Sequence, residues 1–286
     1  MNTMKTTEKE AGLSLLLVSC DKYMDIVNVF EQSAVKYWPA CPYKKYLLTE
    51  SRDCRSADIP AEAPRFFDEV LMAGTGKSWS DCLLYAVRHI PTRHVLVMLD
   101  DFILSAPVDD SRIAAAYRAA CGKEAGIFKL SDRDGRKDTA VESSGGISFC
   151  EIGVDEPYRV SVNPPAIWDS QYIETLLEGH SVSAWDFERE GTVWSRSISR
   201  SLCRLAEGNI FSFFDPTGDG AVGRGRLVKG FRTFCTQEGF RLMTDRADMS
   251  WKNGAKKAVK GFIYRLNPAL ILRVQQWLFE RRERRS

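Results

Sequence analysis

Short apolar runs alternate with stretches of helical period along the first hundred residues. Leu13-Ser14-Leu15-Leu16-Leu17-Val18 reads as a buried strand that ends in Ser19-Cys20-Asp21-Lys22-Tyr23. From about Asp25 to Trp38, Val27, Phe30, Ala34 and Tyr37 share one face of a helix, and Pro39 and Pro42 close it. A second strand, Lys45 to Thr49, leads into Glu50-Ser51-Arg52-Asp53. This β-α-β order calls for a parallel pair joined by a crossover. After Pro60 and Pro64 comes a short strand, Phe66 to Met72, and a turn, Gly74-Thr75-Gly76-Lys77. Ser78 and Asp81 have the spacing of a capping box, and Leu83, Leu84, Val87 and Ile90 form the buried face of the helix that follows. Pro91 ends that helix. Val95-Leu96-Val97-Met98-Leu99 is then apolar throughout, the pattern of a strand buried on both faces.

The second half is less regular. An alanine-rich helix runs from Asp109-Asp110-Ser111 to about Cys121, and the polar segment from Ile127 to Gly146 suggests a mobile loop over Ser131 to Gly146. Tyr158 to Val162 reads as a strand broken by Asn163-Pro164-Pro165-Ala166-Ile167-Trp168. Asp169 opens a helix carrying Ile173, Leu176 and Leu177, and Gly179 stops it. Ser183 and Asp186 repeat the capping spacing. Gly218 to Arg226 is glycine-rich and basic, which predicts a flexible loop attractive to anions. Asn267-Pro268 then starts an amphipathic helix with Leu270, Ile271, Val274, Trp277 and Leu278. The expectation is an α/β, Rossmann-like, mostly parallel sheet flanked by helices with a C-terminal helical extension. It divides into a domain over 11–250 and a basic tail over 251–286.

Composition changes this picture in three places. The 286 residues carry a net charge of only +2, yet Trp251 to Ser286 holds ten Lys/Arg against two Glu, so the rest is net negative. The eight cysteines are scattered with no CxxC pair, which suggests neither a zinc site nor a disulfide framework and fits a reducing cytoplasm. No segment has the length of a membrane span and no signal-peptide pattern is present. A cytosolic protein is expected, at most attached to a membrane surface. The tail helix is suited either to anionic lipid or to plain packing. It lacks the interleaved aromatics that nucleic-acid binding would use.

The chemistry concentrates at Leu99-Asp100-Asp101-Phe102. In an open α/β sheet, ligands collect at the carboxyl ends of the strands, so these acids arrive at the edge of a crevice. Adjacent carboxylates repel and are costly to bury unpaired, which an Mg²⁺ or Mn²⁺ ion gripping a diphosphate would relieve. Two acids facing water at a strand end is the plain alternative. A P-loop would use Gly76-Lys77-Ser78, but the glycine that motif needs at position 71 is Leu71. His89, His94 and His180 have no ligand spacing.

At this point the chain resembles the bacterial GT-A glycosyltransferases. The resemblance rests on Asp21 closing the first strand, Leu99-Asp100-Asp101-Phe102 in place of the acidic metal motif, and Trp185-Asp186-Phe187-Glu188 at a later helix start. It spans roughly Leu13 to Phe231. The family motif is Asp-any-Asp, and the adjacent acids here leave open which oxygen meets the metal. The resemblance implies a metal at Asp101 with Asp100, and donor contacts from Asp21, Glu50, Asp53, Lys77, Trp79, Asp81 and Asp100. Arg224 and Arg226, on the glycine-rich loop, are suited either to closing over the donor's diphosphate or to a plain solvated surface. The resemblance also implies a base from Glu188 or Asp186. Trp185 would stack on the acceptor, as would Trp168, which is equally placed for the core. The expected activity is transfer of a sugar from a nucleotide-sugar donor to a saccharide or lipid-linked saccharide acceptor of a bacterial surface glycan such as lipopolysaccharide or capsule, with inversion. The competing class is a non-catalytic glycan- or partner-binding module on the same fold.

Overall fold

The computed structural model describes residues 9–51, 65–132, 141–156, 158–215 and 220–249. Asp53 and the basic tail, 251–286, lie outside the described residues. Strand β1 (Glu10–Val18) is followed by a short 3-10 turn (Asp21–Tyr23), α1 (Met24–Tyr37) and β2 (Lys44–Thr49). Then come β3 (Glu69–Met72), α2 (Trp79–His89), β4 (Thr92–Leu99), α3 (Asp110–Gly122) and β5 (Ile127–Lys129). The second half supplies β6 (Glu142–Ser144), β7 (Ile147–Glu151), β8 (Ala166–Asp169), α4 (Ser170–Leu177), α5 (Ala184–Trp194) and β9 (Leu202–Leu205). A small hairpin, β10 (Val222–Gly223) and β11 (Arg226–Leu227), precedes α6 (Phe231–Glu238).

Nine strands form one sheet in the order β3-β2-β1-β4-β8-β5-β9-β7-β6. Only β8 and β7 run against the others, so the sheet is mixed but mostly of one direction, with helices on both faces. Alternation along the strands divides the core. Leu15, Leu17, Leu96, Met98 and Phe128 pack on the face of α1 and α3. Leu16, Val18, Val95, Val97 and Trp168 pack on the face of α2, α4 and α5. A strand that feeds two cores has to be apolar at every position, which is why β1 and β4 are so plain in the sequence.

Three expectations are corrected. Tyr158 to Val162 forms no strand: Tyr158 has φ +55°, and Val160 N–H donates 3.3 Å to the Thr192 side chain instead of joining a ladder. The strand lies in the expected break, at β8, where Ala166, Ile167 and Trp168 are buried and bridge β4 to β5 antiparallel. The prolines precede the strand, where a missing N–H does no harm, and Pro165 C=O accepts from Leu130 N–H at 2.9 Å. The proposed loop from Ser131 to Gly146 includes β6, hydrogen-bonded to β7. The glycine-rich stretch is a tight hairpin where described, with Arg224 (φ +53°) and Gly225 (φ +74°) at its two-residue turn. Among the described residues no helix is long and apolar enough to cross a membrane.

Candidate active site

Register puts the first contact in place. Val18 pairs with Leu99, so the next residues, Ser19 and Asp100, emerge side by side at the rim of the sheet. Ser19 Oγ donates to Asp100 Oδ2 at 2.5 Å. Asp100 is only 8% exposed. Burial pushes its carboxyl well above the usual carboxylate range, Asp25 adds to the rise, and the Ser19 bond and the nearby Arg246 pull it back. Asp101 is pushed up too, first by burial, then by the charge of Asp100 and then by Asp215. Neither aspartate forms a salt bridge with a described lysine or arginine.

The chain after the acids is clamped from the C-terminal half. Asp101 C=O accepts from Ala221 N–H at 2.8 Å, Ile103 C=O from Phe214 N–H at 2.8 Å, and Ser105 N–H donates to Ser212 C=O at 3.0 Å. Gly220 lies against Asp101 with φ +71°, and a Cβ there would come within 2.8 Å of Asp101 Oδ2. Gly220 N–H also donates to Asp215 Oδ1 at 3.1 Å, bringing a third carboxylate toward the pair.

The β1–α1 turn forms the neighbouring wall. Asp21 accepts from Ser51 N–H at 2.9 Å and from its hydroxyl, and Asp21 N–H donates to Glu50 Oε2 at 3.3 Å. Cys20, between Asp21 and Ser19, has its thiol pushed up by burial and by Asp100 and Glu50. Tyr23 lies beneath Arg246, whose Cζ is 4.3 Å from the ring centre. Its hydroxyl is raised by burial and then by Asp100. Arg246 donates 2.8 Å to Asp25 Oδ2 and 3.2 Å to the carbonyl of Gly225, and also reaches Lys22 C=O. One guanidinium thereby ties the β1–α1 turn to the tip of the β10–β11 hairpin, leaving Arg224 and Arg226 exposed beside it.

The remaining sequence candidates are dispersed. Asp81 completes the capping box of α2 with Ser78 and accepts from Ser181 Oγ at 2.7 Å. Lys77 Nζ lies 5.0 Å above the Tyr85 ring, and Trp79 packs 5.2 Å from Phe187. Leu71, where a P-loop needs glycine, is a buried residue of β3. Asp186 is held at the start of α5 by Ser183 and by Arg189 at 2.8 Å. Glu188 Oε1 accepts from Ser161 Oγ at 2.8 Å and Val162 N–H at 3.1 Å, and burial raises its carboxyl against those two bonds. Trp185 is 82% exposed. Trp168 is 1% exposed and packs on Phe187, so the expectation that it stacks on an acceptor is corrected: its ring is spent in the core between β8 and α5.

Ser19, Tyr23, Asp25, Asp215, Gly220 and Arg246 are the site residues that sequence reasoning passed over. Ser19 alone had a local signal, its place directly after a buried strand. Arg246 reaches the site from 221 residues beyond Asp25, a juxtaposition no local pattern announces.

A divalent cation fits this donor set. Among the described residues no group of three or more His, Cys, Asp or Glu is arranged as a metal cage. Mg²⁺ and Mn²⁺ do not need one, since one or two carboxylates with substrate phosphates suffice. Asp100, buried, and Asp101, half-buried, repel each other and have no salt-bridging side chain among the described residues, which matches that requirement.

Between this rim and the C-terminal half lies a cavity of about 470 Å³. Phe102, Pro164, Pro165, Phe211 and Phe213 form its apolar walls, and Ser131, Asn209, Ser212 and Asp215 its polar ones.

Fold and site together define an α/β protein with an acidic crevice at the carboxyl edge of its sheet. No family model and no curated protein matches the chain. Solved structures of similar architecture include S. aureus TarS residues 1–349, at 13% identity and a TM-score of 0.43, over 72% of this chain and 61% of that one. The galactosyltransferase LgtC is 8% identical with a TM-score of 0.38, over 81% and 98%. The bifunctional IspDF from Campylobacter jejuni is 10% identical with a TM-score of 0.36, over 64% and 47%. This chain spans 38% of the bifunctional glycosyltransferase WbbM and less than half of IspDF. The chemistry of this chain is therefore carried by its own residues.

Proposed function

We propose that the protein transfers a sugar from a nucleotide-sugar donor to a saccharide acceptor, with a divalent cation held by Asp101 and Asp100. The carrying observation is the acid pair: two adjacent carboxylates at the sheet's rim, Asp100 buried and Asp101 half-buried, with a serine hydroxyl and no ion-pairing side chain among the described residues to offset their repulsion. Such a pair is costly to fold unless it binds something positive. When bound, Mn²⁺ or Mg²⁺ would supply electrostatic stabilisation of the departing nucleoside diphosphate.

The chain's own residues account for the rest. The turn of Asp21 with Glu50 would receive base and ribose, and the exposed Arg224 and Arg226 would face the phosphates. Lys77, Trp79 and Asp81, at the start of α2 on the same rim, are secondary in this reading because each already has an intramolecular partner. In an inverting transfer the acceptor oxygen attacks the anomeric carbon while the bond to the nucleoside diphosphate breaks and its electron pair leaves with the phosphate. The acceptor's proton passes to a carboxylate. Glu188 suits that role better than Asp186: Asp186 is tied to Ser183 and Arg189, whereas burial makes Glu188 a stronger base against the bonds from Ser161 and Val162. The resemblance extends the product to a bacterial surface glycan.

The test is a thermal-shift panel of UDP, GDP, CMP and ADP sugars with Mn²⁺, followed by hydrolysis of whichever donor shifts the protein. Asp101→Ala should abolish both the metal-dependent shift and the hydrolysis. Absence of any nucleotide shift, or pyrophosphate release from a nucleoside triphosphate and a sugar phosphate in place of sugar transfer, would overturn the reading.

A further inference from the structure

We infer that Arg246 is a positioning residue for a diphosphate. It holds the tip of the β10–β11 hairpin against the β1–α1 turn, so that Arg224 and Arg226 stand ready to meet the phosphates, and it touches no phosphate itself. That the phosphates belong to a sugar donor rests on the transferase reading; the latch does not.

The hairpin is held at its base, along its side and at its tip. At the base, Ala221 N–H donates to Asp101 C=O at 2.8 Å, so β10 starts directly from the acid pair. Along the side, Leu227 N–H donates to Ala247 C=O at 3.1 Å, and Leu227 C=O accepts from Met249 N–H at 2.8 Å. The chain around Asp248 thereby lies parallel to β11 as a neighbouring strand. The tip is held by a side chain instead. Arg246 Nη1 donates to Gly225 C=O at 3.2 Å, while Nε and Nη2 grip Asp25 at 2.8 and 3.2 Å. Nη2 also reaches Lys22 C=O, and the guanidinium lies over the Tyr23 ring. A guanidinium has five N–H donors in a fixed fork, and here every nitrogen is already engaged. Arg246 therefore acts through the hairpin rather than on a ligand.

The tip itself is unusual. Arg224 and Gly225 form its two-residue turn, and both have positive φ, +53° and +74°. A turn with two left-handed positions ordinarily carries Asn, Asp or Gly first, because most other side chains are strained there. An arginine at that place is kept against the turn's own preference, which points to a use for its charge. Arg224 and Arg226 are both exposed, and neither forms an ion pair among the described residues. From Ala221 to Arg224 is ~10 Å of strand, a separation that an arginine side chain and a diphosphate together bridge. Guanidinium forks match phosphate oxygens two at a time. Donors already held in place bind without the loss of freedom that loose ones suffer. The anchor at the tip thus sets affinity without a contact of its own.

The probe is inorganic pyrophosphate with Mn²⁺, titrated calorimetrically into the full chain, which presupposes neither a base nor a sugar. Arg246→Met should weaken pyrophosphate about tenfold, and so should Arg224→Gly combined with Arg226→Gln. With those two arginines already replaced, Arg246→Met should change the affinity less than about twofold, because the anchor then has nothing to place. Arg246→Lys keeps a charge beside Asp25 but loses the fork that also reaches Gly225, so it should weaken pyrophosphate as Arg246→Met does. It carries the test should the methionine variant unfold. Mn²⁺ alone should bind Arg246→Met no more weakly than wild type, since a guanidinium repels a cation and the hairpin's base is untouched. Arg224→Gly alone should melt no lower than wild type while losing pyrophosphate affinity, which separates strain relief from binding. Five results would each overturn the inference: no pyrophosphate binding in the wild type, full affinity in both Arg246 variants, full affinity in Arg224→Gly, equal weakening by Arg246→Met in both backgrounds, or loss of Mn²⁺ binding alongside. Pyrophosphate behaving as expected in a protein that no sugar nucleotide shifts would overturn the transferase reading and leave the latch in place.

Discussion

Gly220 approaches Asp101 more closely than any side chain would allow. With φ +71° and its Cβ position 2.8 Å from the Asp101 carboxylate, Gly220→Ala meets both backbone strain and a clash. It should cost about 1–3 kcal/mol from the backbone alone, read as a lower urea midpoint. It should also weaken Mn²⁺ binding, because Asp101 has to move. Asp101→Asn tests the opposite trade. Removing one of two like charges should raise the stability of the metal-free protein by about 1 kcal/mol, while the metal-dependent thermal shift disappears. Both aspartates were legible in the sequence because they follow an unmistakable strand. Gly220 was visible only as one glycine in a loop expected to be flexible, since the need for it arises from a contact across more than a hundred residues.

At the level of elements, the two helix starts on the rim behave as their sequences announced. Ser78 caps α2 and Ser183 caps α5, and the two starts are tied together by Ser80 N–H to Val182 C=O at 3.1 Å and by Ser181 to Asp81. Ser78→Ala should therefore cost about 1 kcal/mol in a thermal melt. Asp81 is held below the usual carboxylate range by the Ser78 hydroxyl and then by Ser181. Its folded pKa is depressed, so its stabilising contribution is present above the unfolded value near ~3.9 and is lost as pH falls through the folded one. Melts of the wild type and Asp81→Asn should differ at pH 5 and converge toward pH 2.5. A gap that stays constant would show that the carboxylate's charge is not what the cap uses. The alternating half of the chain was readable because β1 and β4 feed two cores and α2 carries its own cap. The second half was not, because β8 is four residues long and begins after two prolines, while Tyr158 to Val162 has a strand's composition but is bonded to α5.

For the molecule as a whole, closure of the candidate site depends on a segment that returns from α6. Arg241 N–H donates to Gln32 Oε1 at 2.7 Å, Arg246 pairs with Asp25, and Met249 N–H donates to Leu227 C=O at 2.8 Å. This strap runs along α1 and ends on the hairpin. Arg246→Met keeps the bulk and removes the charge-assisted bonds, so it should destabilise the protein by about 2 kcal/mol. Hydrogen exchange should then quicken at β10 and β11 before the central strands, because the hairpin loses its anchor. Uniform quickening across the sheet would contradict that role.

The stretch from Ser161 to Pro165 has one further consequence. Its first two residues grip Glu188, and its last two are a wall of the cavity. Five consecutive residues thus serve as holder on one side and partition on the other, joined by peptide bonds that cannot slide. A partner molecule pressing on the prolines would re-aim the carboxylate. In the proposed transferase, a change at the prolines would therefore alter proton removal by Glu188 as well as the shape of the cavity, and the two properties would drift together among descendants of this chain.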